Sequence, residues 1–153
     1  MNKFLFFFLL FYLHVANVYS DIIKPNTKIE PYNVVEIQLI SLKNNDKPDK
    51  DFGIEQTWEF AHPENKINTG PLNNFKKMLK NEIYSILLNH KDHKIEEIYN
   101  NKKIAIYDVI ILGSDNFYYE FKWQVERYDG KGSLNNCWLT TAVSNPVSLG
   151  ASI

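Results

Sequence analysis

The apolar residues of this chain change their period once, near Tyr84, and that single change limits the folds open to it. Before Tyr84 they recur every three or four positions. Val34, Val35, Ile37, Gln38, Leu39, Ile40 and Leu42 give a wide stripe that includes Val35, Leu39 and Leu42, and Ile54, Trp58 and Ala61 share a second face. That spacing belongs to helices with one buried side. After Tyr84 the period falls to two. Phe117, Tyr119, Phe121, Trp123 and Val125 alternate with Tyr118, Glu120, Lys122, Gln124 and Glu126. A strand written this way buries one face and shows the other to water. Helices first and strands afterwards, joined by short connections, predict an α+β domain with helices packed on one face of a curved, mostly antiparallel sheet.

Turn chemistry sets the expected boundaries. Pro31 fits the first turn of a helix that Asn44-Asn45-Asp46-Lys47-Pro48 stops. A second helix spans residues 52–61 and ends at His62-Pro63, because the residue before a proline leaves the helical region. A loop over 64–70 precedes a third helix with Leu72, Phe75, Met78, Leu79 and Ile83 inside. Strands follow over 86–88, 94–99, 104–112, 117–128 and 137–143, with hairpin turns at Gly113-Ser114-Asp115-Asn116 and Asp129-Gly130-Lys131-Gly132. Residues 21–31 read as an extended lead-in, 32–147 as one domain and 148–153 as a tail.

The first twenty residues read as an address. One charge, Lys3, precedes an apolar run over 4–13 and a short polar stretch that ends at Ser20. This is the layout of a secretory signal peptide, with cleavage after Ser20. The run is too short for the roughly 20 residues that cross a bilayer, and no later segment of the sequence reads as a span. Secretion or a lumenal location is expected. Sixteen Lys against the lone Arg127, together with eighteen Asn, mark an AT-rich genome; that bias permits an apicomplexan source, for which import into a plastid-type organelle (apicoplast) through the same pathway is the alternative. The single cysteine, Cys137, excludes an internal disulfide framework, so the core alone must hold the domain. A formal net charge of −1 offers no cationic surface for nucleic acid.

Several segments resemble one family. They are Pro31-Tyr32-Asn33-Val34-Val35-Glu36-Ile37-Gln38-Leu39, Gly53-Ile54, Trp58-Glu59-Phe60-Ala61-His62-Pro63-Glu64-Asn65, Thr69-Gly70-Pro71-Leu72 with Phe75 and Met78, Trp123, Asp129-Gly130 and Cys137-Trp138. Together they resemble the domain of unknown function 4864 family, which is similar to the nuclear transport factor 2-like (SnoaL-like) superfamily. The resemblance runs over about residues 31–146. It implies a cone-shaped α+β domain with three N-terminal helices, a pocket between sheet and helices, and pairing into a homodimer through the open sheet face. It implies no reaction. His62 stands where the family usually has serine, so no hydroxyl-borne role carries over to that position.

The candidate site residues follow from these readings. Trp58, Tyr119, Phe121, Trp123 and Trp138 are the expected lining of a pocket for a small apolar ligand. Asp108 is the one charge in the strand over 104–112. Facing an apolar pocket, its carboxyl would have a raised pKa and could act as a base in an isomerase or dehydratase. Facing the other way, it would meet water or Lys122. His90 and His93 lie in a polar turn and read as exposed loop residues, since an H-x-x-H pair alone is weak evidence for a metal. Cys137, beside Trp138, reads as a buried inert thiol. No metal or cofactor is expected. The leading expectation is a non-enzymatic module that binds a small molecule or a protein. An enzyme using Asp108, or a structural or assembly protein, is the alternative.

Overall fold

A computed structural model describes residues 21–152. The expected signal peptide and its cleavage at Ser20 lie outside the described residues. The fold is α+β. Helices α1 (Pro31–Lys43), α2 (Phe52–Glu59), α3 (Pro63–Thr69) and α4 (Leu72–Leu79) come first, followed by a 3-10 turn, Ser85–Leu87. Strands β1 (Asp92–Asn100), β2 (Ile104–Leu112), β3 (Phe117–Arg127), β4 (Trp138–Val143) and β5 (Val147–Ala151) make one antiparallel sheet. Its order is β1-β2-β3-β4, with β5 also paired to β3.

The period-two reading fixes the faces of the sheet. Ala105, Tyr107, Val109 and Ile111 of β2 pair with Val125, Trp123, Phe121 and Tyr119 of β3, and all but the half-buried Tyr119 are buried. Val34, Val35, Leu39 and Leu42 of α1 pack on this inner face in one continuous core. Gly53 lets α2 approach α1, since a Cβ there would lie 2.1 Å from the Ser41 carbonyl oxygen. The lead-in is tied down too: Ile23 N donates to Gln56 Oε1 at 2.7 Å and Gln56 Nε2 donates to Ile23 O at 2.8 Å.

Four expectations are corrected. Residues 64–70 do not form a loop but belong largely to α3, so the described residues hold four α-helices rather than three. No residue of α3 is buried, which leaves it without an apolar stripe. Its start is set by Pro63 in the first turn and by His62 Nδ1, which accepts from Glu64 N at 3.2 Å. Residues 86–88 are not a strand. Ile86 and Leu87 lie in the 3-10 turn, after the Asn81 side chain accepts from the amides of Ile83 and Tyr84. A short apolar run has no period to tell the two apart. Of the expected tail over 148–153, residues 148–151 belong to β5, because Val147–Ala151 pairs with the start of β3, and residue 153 lies outside the described residues. Phe117 is exposed, not buried, as it sits at the hairpin end opposite Ala151.

Candidate functional site

Between α1, α3, α4, the 3-10 turn and the β3–β4 corner lies a cavity of about 260 Å3. Leu42, Phe75, Leu79, Leu87, Trp123 and Val143 make its apolar walls. Asn65, Asn68, Thr69 and Tyr84 add polar atoms around it.

The architecture of β4 shapes this corner. Val125 pairs with Thr140 and Gln124 with Ala142, so Thr141 is an extra residue, a bulge. The edge of β4 beside it is closed by the link between α2 and α3. Thr140 N donates to Phe60 O at 2.8 Å, and His62 N donates to Thr140 O at 2.9 Å. Asn65 Nδ2 then donates to the carbonyls of Thr140 and Thr141 at 3.0 and 2.8 Å. The polar face of α3 therefore sets Asn65 against a sheet edge that would otherwise lie open.

At the base of the cavity three polar side chains meet inside the core. Trp123 Nε1 donates to Gln38 Oε1 at 3.1 Å and to Thr140 Oγ1 at 3.3 Å. Thr140 Oγ1 donates to the same Gln38 oxygen at 2.6 Å, and Gln38 Nε2 donates to Thr57 O at 3.1 Å. Each of the three is at least 95% buried. A buried polar group left unmet costs more than its hydrogen bond is worth, so this mutual satisfaction is what lets polar atoms sit here. Some capacity is left over. One proton on Gln38 Nε2 and one lone pair on Thr140 Oγ1 have no partner among the described residues.

Of the five expected lining residues, Trp123 alone lines the cavity. Trp58 backs one wall, its ring 5.0 Å from that of Phe75, with the Lys66 ammonium 5.4 Å from its centre. Phe121 is fully buried in the core. Tyr119 lies toward the hairpin, where its hydroxyl donates to Asp115 at 2.6 Å. Trp138 is buried under the Arg127 guanidinium, 5.4 Å from its ring. Asp108 is not a pocket base. It alternates with buried Tyr107 and Val109, so it projects from the opposite face, where Lys122 Nζ donates to it at 2.7 Å. Cys137 is buried, as expected, and burial pushes its thiol pKa up.

The expectation of exposed histidines is corrected as well. His90 is 2% exposed and His93 is half-buried on β1. His90 Nδ1 lies 2.7 Å from Leu87 O, and His90 Nε2 lies 2.8 Å from His93 Nδ1. Burial pushes the His90 pKa down to about 4 and lowers that of His93. Among the described residues no three His, Cys, Asp or Glu side chains gather as a metal site, and no helix is long and apolar enough to cross a membrane.

Gln38 and Thr140 were missed as site residues, although the sequence carries a signal for each. Gln38 stands four residues from both Val34 and Leu42, a polar side chain on an apolar stripe. Thr140 lies two residues from Trp138, on the same face of a strand. No family model, curated protein or solved structure matches the chain.

Proposed function

We propose that this domain is a non-enzymatic module that binds a small neutral molecule with an apolar body and one hydroxyl or similar polar group. The observation that carries this reading is the Gln38–Trp123–Thr140 cluster at the base of a mostly apolar cavity. Ligand sites have this composition, an apolar lining with a few placed polar groups. An apolar cavity of roughly 150 Å3 takes up benzene, so about 260 Å3 suits a larger ring system. The unused Gln38 proton and Thr140 lone pair match a hydroxyl, which accepts from the first and donates to the second. Among the described residues no carboxyl, imidazole, ammonium, guanidinium or thiol lines the cavity, which favours a neutral ligand and binding over acid–base chemistry. The resemblance to the cone-shaped, nuclear transport factor 2-like superfamily implies a pocket in the same place, and membership there is part of the proposal.

The test is calorimetric titration of the full chain with 2-naphthol and with naphthalene. The hydroxyl should make 2-naphthol bind roughly fivefold tighter. Thr140→Val should remove most of that preference and leave naphthalene affinity unchanged. Failure of both compounds to bind, or an equal loss for both in the variant, overturns the reading.

A second reading is self-association through the open sheet face. Ile104, Ile106, Ile110 and Leu112 form a half-buried apolar row there, beside exposed Tyr118. A urea midpoint that rises with protein concentration supports it, and a constant midpoint overturns it.

A further inference from the structure

The 3-10 turn that walls the cavity is held at both ends. Tyr84 Oη donates to Val143 O at 3.3 Å on one side. On the other, His90 Nδ1 meets Leu87 O at 2.7 Å, and Leu87 lines the cavity. A carbonyl oxygen only accepts, so His90 carries its proton on Nδ1 and leaves Nε2 bare. The 2.8 Å contact then requires His93 to donate from Nδ1. His93 sits on β1, so the two imidazoles tie the wall of the cavity to the edge strand of the sheet.

We propose that the His90–His93 pair is an acid-operated latch on the cavity, which lets go of the Tyr84–Leu87 wall when both rings are protonated. The proposal rests on the ligand-binding reading of that cavity. One added proton leaves the latch closed, because a pair holding three protons still has one donor and one acceptor across the contact. A second proton places N–H against N–H at that contact, and the interaction turns repulsive. Two imidazolium ions then stand together, one of them in the core. The charged side chains that act on them include Lys43 and Glu36 on α1, and Asp92 on β1. Lys43 opposes protonation, Glu36 and Asp92 favour it, and Asp92 is already engaged by Lys43 Nζ at 3.4 Å. No carboxylate is hydrogen-bonded to either ring among the described residues, so nothing compensates a buried imidazolium there. The His90 ring is driven toward water and its bond to Leu87 O goes with it. Burial holds both pKa values below the ordinary histidine value, which keeps the latch closed at neutral pH.

The experiment compares the full chain with its His93→Asn variant. The Asn amide lies where the Nδ1 edge of the imidazole lay. It donates to neutral His90 and, turned over, accepts from protonated His90, so the variant latch has no repulsive state. Affinity for 2-naphthol, which stays neutral across the range, is measured at pH 7 and pH 4.5. Backbone amide signals of Ile86 and Leu87 are followed by NMR over the same range, with Phe121 and Val125 as reference points in the sheet. The native chain should lose about tenfold or more in affinity, with the Ile86 and Leu87 signals moving alongside. The variant should keep both unchanged. Static Ile86 and Leu87 signals overturn the latch. A variant that titrates like the native chain does so too, as does loss of the Phe121 and Val125 signals, which reports global acid unfolding. Failure of 2-naphthol to bind at pH 7 with Ile86 and Leu87 still titrating refutes the ligand reading and supports the latch on the turn by itself.

Discussion

The two faces of the sheet solve one problem in opposite ways. Both carry polar side chains on β2 and β3 among aliphatic ones. On the inner face Trp123 N–H is fully removed from water and is met by Gln38 and Thr140. On the outer face Asp108 meets Lys122 across the same strand pair, one position along, with the lysine side chain 61% exposed. Inside, water cannot replace a lost partner, so each bond constrains the packing around it. Outside, water replaces the partner at little cost. The outer contact, at 2.7 Å, is shorter than the inner ones at 3.1 and 3.3 Å, yet far more depends on the inner ones, and burial is the cause.

Trp123→Ala gives the largest expected effect. It removes the largest fully buried side chain, opens a void beside the cavity and leaves Gln38 and Thr140 short of a donor. Such truncations cost about 3–5 kcal/mol out of the roughly 5–15 kcal/mol that holds a domain. The core has no disulfide to fall back on, as Cys137 is a free thiol. Urea unfolding should show no cooperative transition, or one displaced to much lower urea. A midpoint near that of the native chain would mean that the inner face does not carry the fold.

The acid response is next in size and belongs to the inner side as well. The folded His90 pKa of about 4 lies below the roughly 6.5 of an unfolded chain. Below pH 6.5 the unfolded chain binds a proton that the folded chain refuses, so stability falls with pH. The contribution is complete above pH 6.5 and is lost as the pH drops toward 4. Between pH 7 and pH 4.5 this amounts to about 2–3 kcal/mol for a latch that stays closed, and opening of the latch, which lets the folded chain take up the same protons, makes the loss smaller. Urea unfolding at the two values measures the difference. A flat or rising stability toward pH 4.5 would remove His90 from the buried side of the comparison.

The sequence made the faces legible and the cavity less so. Strict alternation in β3 put Phe121, Trp123 and Val125 on the buried face and Lys122 on the other, because a strand allows two directions and no more. The same rule names Asp108 as an outer residue once its neighbours Tyr107 and Val109 are read as inner. What alternation does not carry is tertiary closure. α3 has no apolar stripe and owes its place to Asn65 and the carbonyls of β4, a contact between residues 75 positions apart. Gln38 and Thr140 meet across 102 positions. His90 looked like a turn residue because its local sequence is polar, yet the fold seals it beneath Leu87 and β1.

Lys122→Ala should have the smallest effect, and it bears most directly on the comparison. The ammonium lies 2.7 Å from Asp108, close enough that the carboxylate raises the lysine pKa. A short contact alone would suggest a costly loss. Exposure decides otherwise. Water solvates the freed Asp108, the lysine regains its rotamers, and salt already screens the pair. The urea midpoint should therefore stay within measurement error of the native value, at low and high salt alike. Self-association through this face would change the outcome in a recognisable way. Asp108 and Lys122 would both be desolvated in the dimer, and removing the lysine would strand a buried carboxylate. The loss would then be large and would grow with protein concentration. A midpoint unchanged at both concentrations assigns the pair to open solvent. A large concentration-dependent drop makes the outer face an interface, and the difference between the two faces becomes one of partner rather than of burial.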